Sequence, residues 1–350
     1  MKDFDLIRAS LLPTLIRVGN VGNLYVAAFM VMKLLPAYEM IHRALRAGIL
    51  RNGMTVVETS SGTFALGLAI VCNKMGLHLV IVTDPAVDDA LKARLEDLKA
   101  VVDIVPVPLN SSSVQTARMD RLQYWLDRLG DTAWRPNQYD NSDNGAAYAR
   151  FAEMLVRELP QINTIVGPVG SGGSMCGTVR NVRLIHPDVR AIGVDTQGSA
   201  IFGLKPRPRL LRGLGNTLMP KNVRHEVFDE VHWIPAGVAF RATRLLHRTE
   251  NLFAGPTTGA AFWVAKAYAT QHPKETVVVI GPDSGHRYAT TVYNDQWLRA
   301  NAACIEPSEM PTQPLMVDHP RDVDSRWASF MWNRRTYEDA IGHSFEAGEE

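Results

Sequence analysis

The sequence has little cysteine and no excess of either charge. Its 350 residues include three cysteines, Cys72, Cys176 and Cys304, which are far apart and follow no metal-ligand spacing. We therefore expect neither a disulfide framework nor a bound metal. Lys and Arg total 37 against 36 Asp and Glu, a formal net charge of +1. This balance gives no electrostatic reason to expect nucleic acid or an anionic membrane surface as a partner.

Long apolar runs are also missing. No segment is long and apolar enough to span a bilayer, so we expect no membrane partner. At the N-terminus, Asp3 and Asp5 precede the first apolar residues, and no small-residue cleavage site follows, which argues against a signal peptide. We expect a cytoplasmic protein, and its length predicts about two domains.

Short β-branched runs alternate with segments of helical periodicity along most of the chain. This alternation is typical of βαβ units and predicts an α/β fold with mostly parallel sheets flanked by helices. The predicted strands are residues 54–58, 77–83, 101–107, 164–169, 190–195, 230–234 and 276–281. The predicted helices include residues 36–47, 64–74, 88–99, 114–128, 145–158, 237–247 and 258–271. Residues 301–350 break the alternation with four prolines and an aromatic patch, and we expect them to pack on the body or on a second subunit.

Two strand-to-helix turns are rich in small and hydroxyl residues. Such turns are places where ligands bind, because the helix N-terminus presents free N–H groups. One contains Ser60, Ser61, Gly62 and Thr63 and can bind a carboxylate, although simple N-capping by one of them is the favoured explanation for this turn alone. The other is a glycine loop, and its close backbone approach suits a phosphate monoester or merely tight helix–strand packing. The glycine loop consists of Gly170, Ser171, Gly172, Gly173 and Ser174.

A third candidate segment follows the last predicted strand. It runs Pro-Asp-Ser-Gly-His-Arg-Tyr over residues 282–288, and Ser284 at a strand's carboxyl end can hydrogen-bond a ring nitrogen. Asp283 and Arg287 equally suit a structural ion pair. We expect His286 to face solvent and give it no catalytic role.

Taken together over about residues 12–298, these segments resemble the cysteine synthase and cystathionine β-synthase family. These are fold-type II pyridoxal-phosphate enzymes related to the tryptophan synthase β chain. The resemblance rests on six motifs in register, at residues 60–64, 137–139, 170–174, 193–200, 212–215 and 282–288. It implies a homodimer of two-domain chains. The implied units are a smaller mobile domain of residues 34–141, a larger cofactor domain of residues 8–33 plus 142–299, and a C-terminal extension of residues 300–350.

The resemblance also implies a cofactor and a site. Pyridoxal 5'-phosphate would form a Schiff base with Lys33, which aligns with the family's cofactor lysine, and Lys33 would be the catalytic residue. The glycine loop would bind its phosphate, Ser284 would face its ring nitrogen, and Thr63 would replace the asparagine that bonds its ring oxygen. The implied substrate-binding residues are Ser60, Ser61, Gly62, Thr63 and Gln138.

The implied reaction is β-replacement on an O-activated L-serine, O-acetylserine or O-phosphoserine, through an aminoacrylate. Sulfide would give cysteine, and an amine would give a diaminopropionate-type product, as in the branch of siderophore-type pathways that uses O-phosphoserine. The lysine segment departs from the family because Leu34 and Leu35 follow Lys33 where the family has Asp-Arg. This departure motivates a second hypothesis, a degenerate homologue that acts as a binding or scaffold protein. A nicotinamide dehydrogenase is a third and weaker hypothesis, because an early Gly-x-Gly-x-x-Gly is absent.

Overall fold

The computed structural model describes residues 6–19, 21–85, 87–106, 114–211, 213–301 and 310–342. Its strands are β1 Thr14–Arg17, β2 Leu24–Ala28, β3 Thr55–Thr59, β4 His78–Thr83, β5 Val101–Ile104, β6 Ala133–Trp134, β7 Thr164–Pro168, β8 Arg190–Asp195, β9 Glu230–Trp233, β10 Val277–Gly281, β11 Leu315–Met316 and β12 Ala328–Met331. The helices are α1 Leu6–Ala9, α2 Leu34–Arg46, α3 Thr63–Met75, α4 Asp89–Asp97, α5 Val114–Leu129, α6 Asp143–Ala146, α7 Ala149–Glu158, α8 Gly173–Val182, α9 Ala236–Glu250, α10 Pro256–Gln271, α11 Asp295–Ala300 and α12 Tyr337–Ile341. None of these helices is long and apolar enough to cross a membrane.

The described strands form two sheets. The larger has eight strands in the order β1-β2-β10-β7-β8-β9-β12-β11, and the smaller has four in the order β5-β4-β3-β6. All pairs in the smaller sheet are parallel, as are those from β2 through β10, β7 and β8 to β9. In the larger sheet β1 pairs antiparallel with β2, and β12 pairs antiparallel with β9, whereas β11 and β12 are parallel. The predicted α/β class with mostly parallel sheets is therefore confirmed.

The central strands are buried on both faces, which explains their unbroken apolar sequences. In β10, whose residues are all buried, Val278 and Ile280 belong to one core cluster while Val277 and Val279 belong to the other. This alternation follows the two-residue period of a strand. Helices cover both faces, so the larger sheet lies between two apolar layers.

The seven predicted strands are present within one to three residues of their expected ends, but one predicted helix is wrong. Instead of one helix over residues 145–158, the chain forms α6 and α7 with a break at Ala147 and Tyr148. The first of these helices, α6, packs closely on α8, where a Cβ on Gly177 would collide with the carbonyl oxygen of Gly145. At the break, the ring of Tyr148 turns into the core and is fully buried. Cys304, Val107 and Arg212 lie outside the described residues.

The C-terminal segment extends the larger sheet. Residues of β12 pair with β9, and β11 pairs with β12. The side chains of Trp327, Phe330 and Trp332 are buried, and the ring of Trp332 lies 5.1 Å from that of Phe202. The aromatic patch thus packs on the body of this same chain. The division into the three units given above stays a prediction.

Candidate active site

Three neighbouring parallel strands bring the main sequence candidates to one edge of the larger sheet. Strand β10 lies between β2 and β7 and runs parallel to both. The chain leaves the carboxyl end of β2 toward Lys33, that of β10 toward Ser284, and that of β7 into the glycine loop. Because carboxyl ends of parallel strands share one edge, these residues meet there.

The lysine segment is held against the loop that follows β10. The N–H of Phe29 donates to Gly281 O at 2.8 Å, and that of Met32 donates to Pro282 O at 2.8 Å. In return Ser284 N–H donates to Met30 O at 3.2 Å. Lys33 then follows directly and is the N-cap residue of α2. The main chain therefore sets Lys33 in register with Ser284, despite the apolar residues that follow the lysine.

Gly67 of α3 lets this helix approach Lys33, and sequence reasoning missed it. A Cβ built on Gly67 would lie 2.7 Å from the carbonyl oxygen of Lys33. Real side chains do not tolerate that distance to a main-chain atom, so only glycine fits without displacement. The signal was a glycine in the middle of a helical pattern, which points to close packing.

The amine of Lys33 points at the glycine loop. Its Nζ donates to Ser171 Oγ at 3.0 Å. Burial lowers the pKa of Lys33 to about 8, because the protonated amine loses hydration. Lys33 is thus far more often a neutral amine near neutral pH than an exposed lysine is, and the neutral amine is the nucleophilic form.

The glycine loop forms an anion cradle between β7 and α8. Gly172 has φ +84°, and a Cβ there would lie 2.5 Å from Val223 N. The first turn of α8 has no side-chain cap, so its N–H groups stay available to an anion. The hydroxyl-bearing Ser171 and Ser174 are both buried beside it. Donors, shape and dipole together suit a phosphate monoester.

Asn144 connects this loop to the predicted substrate segment, and sequence reasoning missed it. Its side-chain amide donates to Gln138 O at 2.6 Å and to Ser171 Oγ at 3.3 Å. A Cβ on Gly173 would collide with the Asn144 side chain. The buried asparagine therefore fixes the distance between Gln138 and the glycine loop.

Glu58 of β3 holds Gln138 from the other side. Its carboxylate accepts from Gln138 N–H at 3.3 Å and from Thr59 N–H at 2.9 Å, and Arg135 lies 3.7 Å away. Burial raises the pKa of Glu58, and these partners oppose that shift. Sequence reasoning gave Glu58 no role, because a carboxylate at the end of a strand carries no signal by itself.

The turn of residues 60–63, called the hydroxyl turn below, follows the carboxyl end of β3. It leads into α3, with Gly62 as N-cap and Thr63 as first helical residue. No side chain caps this helix, so the capping alternative for Ser60, Ser61 and Thr63 is not what the structure shows. Instead Ser60 Oγ accepts from Gly62 N–H at 3.3 Å. The first N–H groups of α3 thus remain open toward the cleft between the two sheets.

Arg287 connects this turn to the loop after β10. Its Nη2 donates to Ser61 O at 2.9 Å, and its Nε donates to Asp88 Oδ2 at 2.6 Å. The alternative of an Asp283–Arg287 ion pair is wrong, because Asp283 accepts from the Tyr288 hydroxyl at 2.8 Å instead. Burial raises the pKa of Asp283 to about 6. Arg287 thus follows a strand of the larger sheet and bonds residues beside the smaller sheet.

His286 is exposed, as expected, but it contacts a site residue. Its Nδ1 lies 3.0 Å from Ser284 Oγ. The serine side chain is thereby oriented from the solvent side.

The comparisons with known proteins agree with this arrangement. Residues 26–283 match the family of pyridoxal-phosphate dependent enzymes. The chain is 31% identical over 274 residues to N-(2-amino-2-carboxyethyl)-L-glutamate synthase of Cupriavidus metallidurans, covering 77% of this chain and 80% of that protein. Its fold resembles the O-acetylserine dependent cystathionine β-synthase of Helicobacter pylori, with a TM-score of 0.76, 25% identity, and 83% and 99% of the two chains covered. It also resembles the O-acetylserine sulfhydrylase isoform 3 of Entamoeba histolytica, with a TM-score of 0.76, 19% identity, and 87% and 97% covered.

The chain therefore belongs to the family of pyridoxal-phosphate dependent enzymes, with a fold-type II, cysteine synthase-like architecture. This confirms the resemblance, the cofactor and the enzyme class expected from the sequence. The residues present fit that cofactor, because an amine of lowered pKa lies beside an uncapped, glycine-lined cradle. Neither the dehydrogenase nor the degenerate scaffold is favoured by these findings.

Proposed function

We propose that this protein catalyses β-replacement on an O-activated L-serine with pyridoxal phosphate as cofactor. The observation that carries the proposal is the 3.0 Å contact between Lys33 Nζ and Ser171 Oγ, together with the lowered pKa of Lys33. It joins the amine that would bind the cofactor's aldehyde to the loop that would bind its phosphate. The names of the relatives, an amino-acid synthase and an O-acetylserine dependent synthase, support the same class of chemistry.

The cofactor would be held by Lys33, by the glycine loop and by Ser284, with Thr63 near the ring. The group supplies an electron sink for charge that develops at the substrate's α-carbon. A serine hydroxyl at the ring nitrogen is neutral, which favours elimination and replacement over a long-lived carbanion. The amine of Lys33, which lies 3.0 Å from Ser171 Oγ, would remove the α-proton once it is released.

The donor's carboxylate would bind in the hydroxyl turn of residues 60–63. The open N–H groups at the start of α3 favour an anion there, and Gln138 approaches from the segment that Glu58 and Asn144 hold. Arg287 keeps the turn close to the loop of Ser284. In this way the substrate would lie between the two sheets with its α-carbon near Lys33.

We propose an amino-acid amine as the second substrate. The new bond joins the amine nitrogen to the serine β-carbon, the activating acid leaves from that carbon, and one proton is lost from nitrogen. The product is an N-substituted 2,3-diaminopropionate. The relative that is 31% identical is named for such a product of L-glutamate, which supports an amine over sulfide.

We also propose that the protein works in the cytoplasm as a homodimer. Within each chain, residues 34–141 would close over the bound donor as the smaller mobile domain. Such closure excludes water from the reacting groups.

Product analysis would test the proposal. The purified holoprotein is given O-acetyl-L-serine or O-phospho-L-serine, each with L-glutamate or with sulfide, and the products are identified by mass spectrometry. We expect a diaminopropionate-type product with L-glutamate and one of the two donors. Cysteine alone would overturn the choice of nucleophile. No product from any of the four mixtures, with full cofactor loading, would overturn the proposed function.

A further inference from the structure

A second cavity lies at the carboxyl ends of β8 and β9. It has a volume of about 680 Å³ and none of Lys33, Ser284, Gln138 or the loop residues of the candidate active site lines it. One wall follows those two strands, with Thr196 after β8 and Pro235 after β9. The other wall is the C-terminal segment of residues 320–325. Its volume is typical of small-molecule sites.

The lining is strongly cationic. Lys205, Arg207, Arg209 and Arg321 line the cavity against one acid, Asp324, which is already paired with Arg326 at 2.7 Å. Among the described residues, no ion-pair partner of Lys205, Arg207 or Arg321 is found. Such an uncompensated group of cations attracts anions.

Arg209 is the most enclosed of these cations. Its Nη1 donates to Gly198 O at 3.0 Å, whereas its Nε is buried without a partner among the described residues. The buried carboxyl of Asp195 attracts this guanidinium but does not line the cavity. Arg209 as a residue lines the cavity and adds its positive charge there.

The cavity walls are tightly packed. Arg207 N–H donates to Gly198 O at 3.1 Å, which closes the loop on itself. Gly203 has φ +84°, and a Cβ there would lie 2.5 Å from Ile341 Cδ1 and 3.4 Å from Pro320 Cβ. The loop and the C-terminal segment therefore touch directly, and the cavity is preformed.

The C-terminal wall of the cavity lies beyond the part of the chain that matches the family. The family match ends at residue 283, whereas the wall residues 320–325 lie beyond it. The C-terminal segment that carries Arg321 is joined to the larger sheet by the pairing of β12 with β9. One wall of the site therefore lies outside the family match, and the other lies within it.

We propose that this cavity binds a small polyanion that carries at least two negative charges on phosphate or carboxylate groups. Four cations on two walls suit a ligand charged at both ends, with guanidinium groups pairing to oxygens. The start of α9 lies at the same cavity, because Pro235 and Ala236 line it, and no side chain caps this helix. The proposal is independent of the reaction catalysed.

Calorimetric titration of the holoprotein with pyrophosphate and, separately, with citrate tests this site. The protein is loaded with pyridoxal phosphate so that the glycine loop is already filled. We expect one probe to bind once per chain, with an affinity that falls as salt rises. The double variant Arg207→Ala/Arg321→Ala should weaken binding at least about tenfold. The control Arg51→Ala, an exposed arginine that does not line the cavity, should bind as the wild type does.

The two probes distinguish phosphate from carboxylate ligands by which one binds more tightly. If the double variant unfolds, Lys205→Ala tests the same wall. Absence of binding by both probes, or equal binding by wild type and variant, would overturn the proposal. So would loss of the bound cofactor's visible absorbance as the probe is added, since displacement of the cofactor would place the anion at the glycine loop. Product formation is measured in the same variants. If it is unchanged while probe binding is absent, the anion site is refuted and the proposed function is not.

Discussion

Lys33 is half-buried, its Nζ lies 3.0 Å from Ser171 Oγ, and it follows an apolar segment that gives no hint of chemistry by itself. Taken alone, this segment predicts only a lysine whose aliphatic stem packs on apolar neighbours while its amine reaches solvent. Alignment of the later motifs is what predicts this lysine. The structure explains how such a segment serves a site, because its main chain pairs with the loop after β10.

Lys33→Ala should abolish the visible absorbance of protein-bound pyridoxal phosphate and reduce turnover by about three orders of magnitude or more. The reason is that, in the described part of the chain, Lys33 is the lysine that donates a hydrogen bond to the glycine loop. Absorbance spectra of the purified variant and initial rates measure both effects. Lys74→Ala, in the last turn of α3, serves as control and should keep the spectrum. A bound-cofactor spectrum in Lys33→Ala would show that another lysine carries the cofactor.

Cofactor uptake by the apoprotein should depend on pH through the same amine. The neutral form attacks the aldehyde, and the pKa of Lys33 is lowered to about 8 by burial. As pH rises toward 8 the neutral fraction grows about tenfold per unit, and above 8 it levels off. Stopped-flow absorbance between about pH 6 and pH 10 measures the uptake rate. A rate that keeps rising to pH 10 would contradict the lowered pKa.

At the scale of elements, the sequence predicted the seven strands whose apolar runs are bounded by turns. Strand β2 was missed because residues 24–35 form one apolar stretch in which strand and helix cannot be separated by periodicity. Its pairing with β10 joins residues about 250 positions apart, and β12 likewise depends on distant β9. Such partners are set by tertiary contacts that local patterns do not contain.

The same limit applies to the candidate site. The glycine loop, the hydroxyl turn and Ser284 were found because their residue types carry chemistry at strand ends. Glu58, Asn144 and Gly67 were not found, because each acts on a residue that lies in another element. Supporting residues of this kind become visible only when the elements are packed.

Gly67→Ala should disturb the packing of α3 against Lys33. The added Cβ would lie 2.7 Å from a main-chain oxygen, and relief of this overlap costs about 1–3 kcal/mol of unfolding free energy. We also expect a slower cofactor uptake, since Lys33 must shift. Urea unfolding and uptake kinetics measure the two effects. Gly19→Ala is the matched control, where the new Cβ finds only an ordinary 3.6 Å contact. Equal stability of both variants would refute the close packing.

At the scale of the whole molecule, the two sheets meet across the proposed substrate cleft, and Arg287 spans it. It leaves the larger sheet after β10 and bonds Asp88 and Ser61 beside the smaller sheet. Burial and the acids around it have opposite effects on its pKa, with a net rise that keeps it charged. An arginine in this place holds the hydroxyl turn in position for a donor carboxylate.

Arg287→Ala should therefore raise the KM for the O-activated serine about tenfold, with a smaller effect on kcat, because loss of a charge-assisted hydrogen bond costs about 1.5–3 kcal/mol. Steady-state kinetics with the donor varied at saturating amine give both constants. Arg244→Ala is a suitable control. It removes an ion pair between Arg244 Nη1 and Asp295 Oδ1, 2.6 Å apart, which joins α9 to α11 and does not involve the hydroxyl turn. An unchanged absorbance of the bound cofactor would show that Ser284 still occupies its place. If KM stayed the same while kcat fell, Arg287 would act on the reacting groups rather than on the position of the turn.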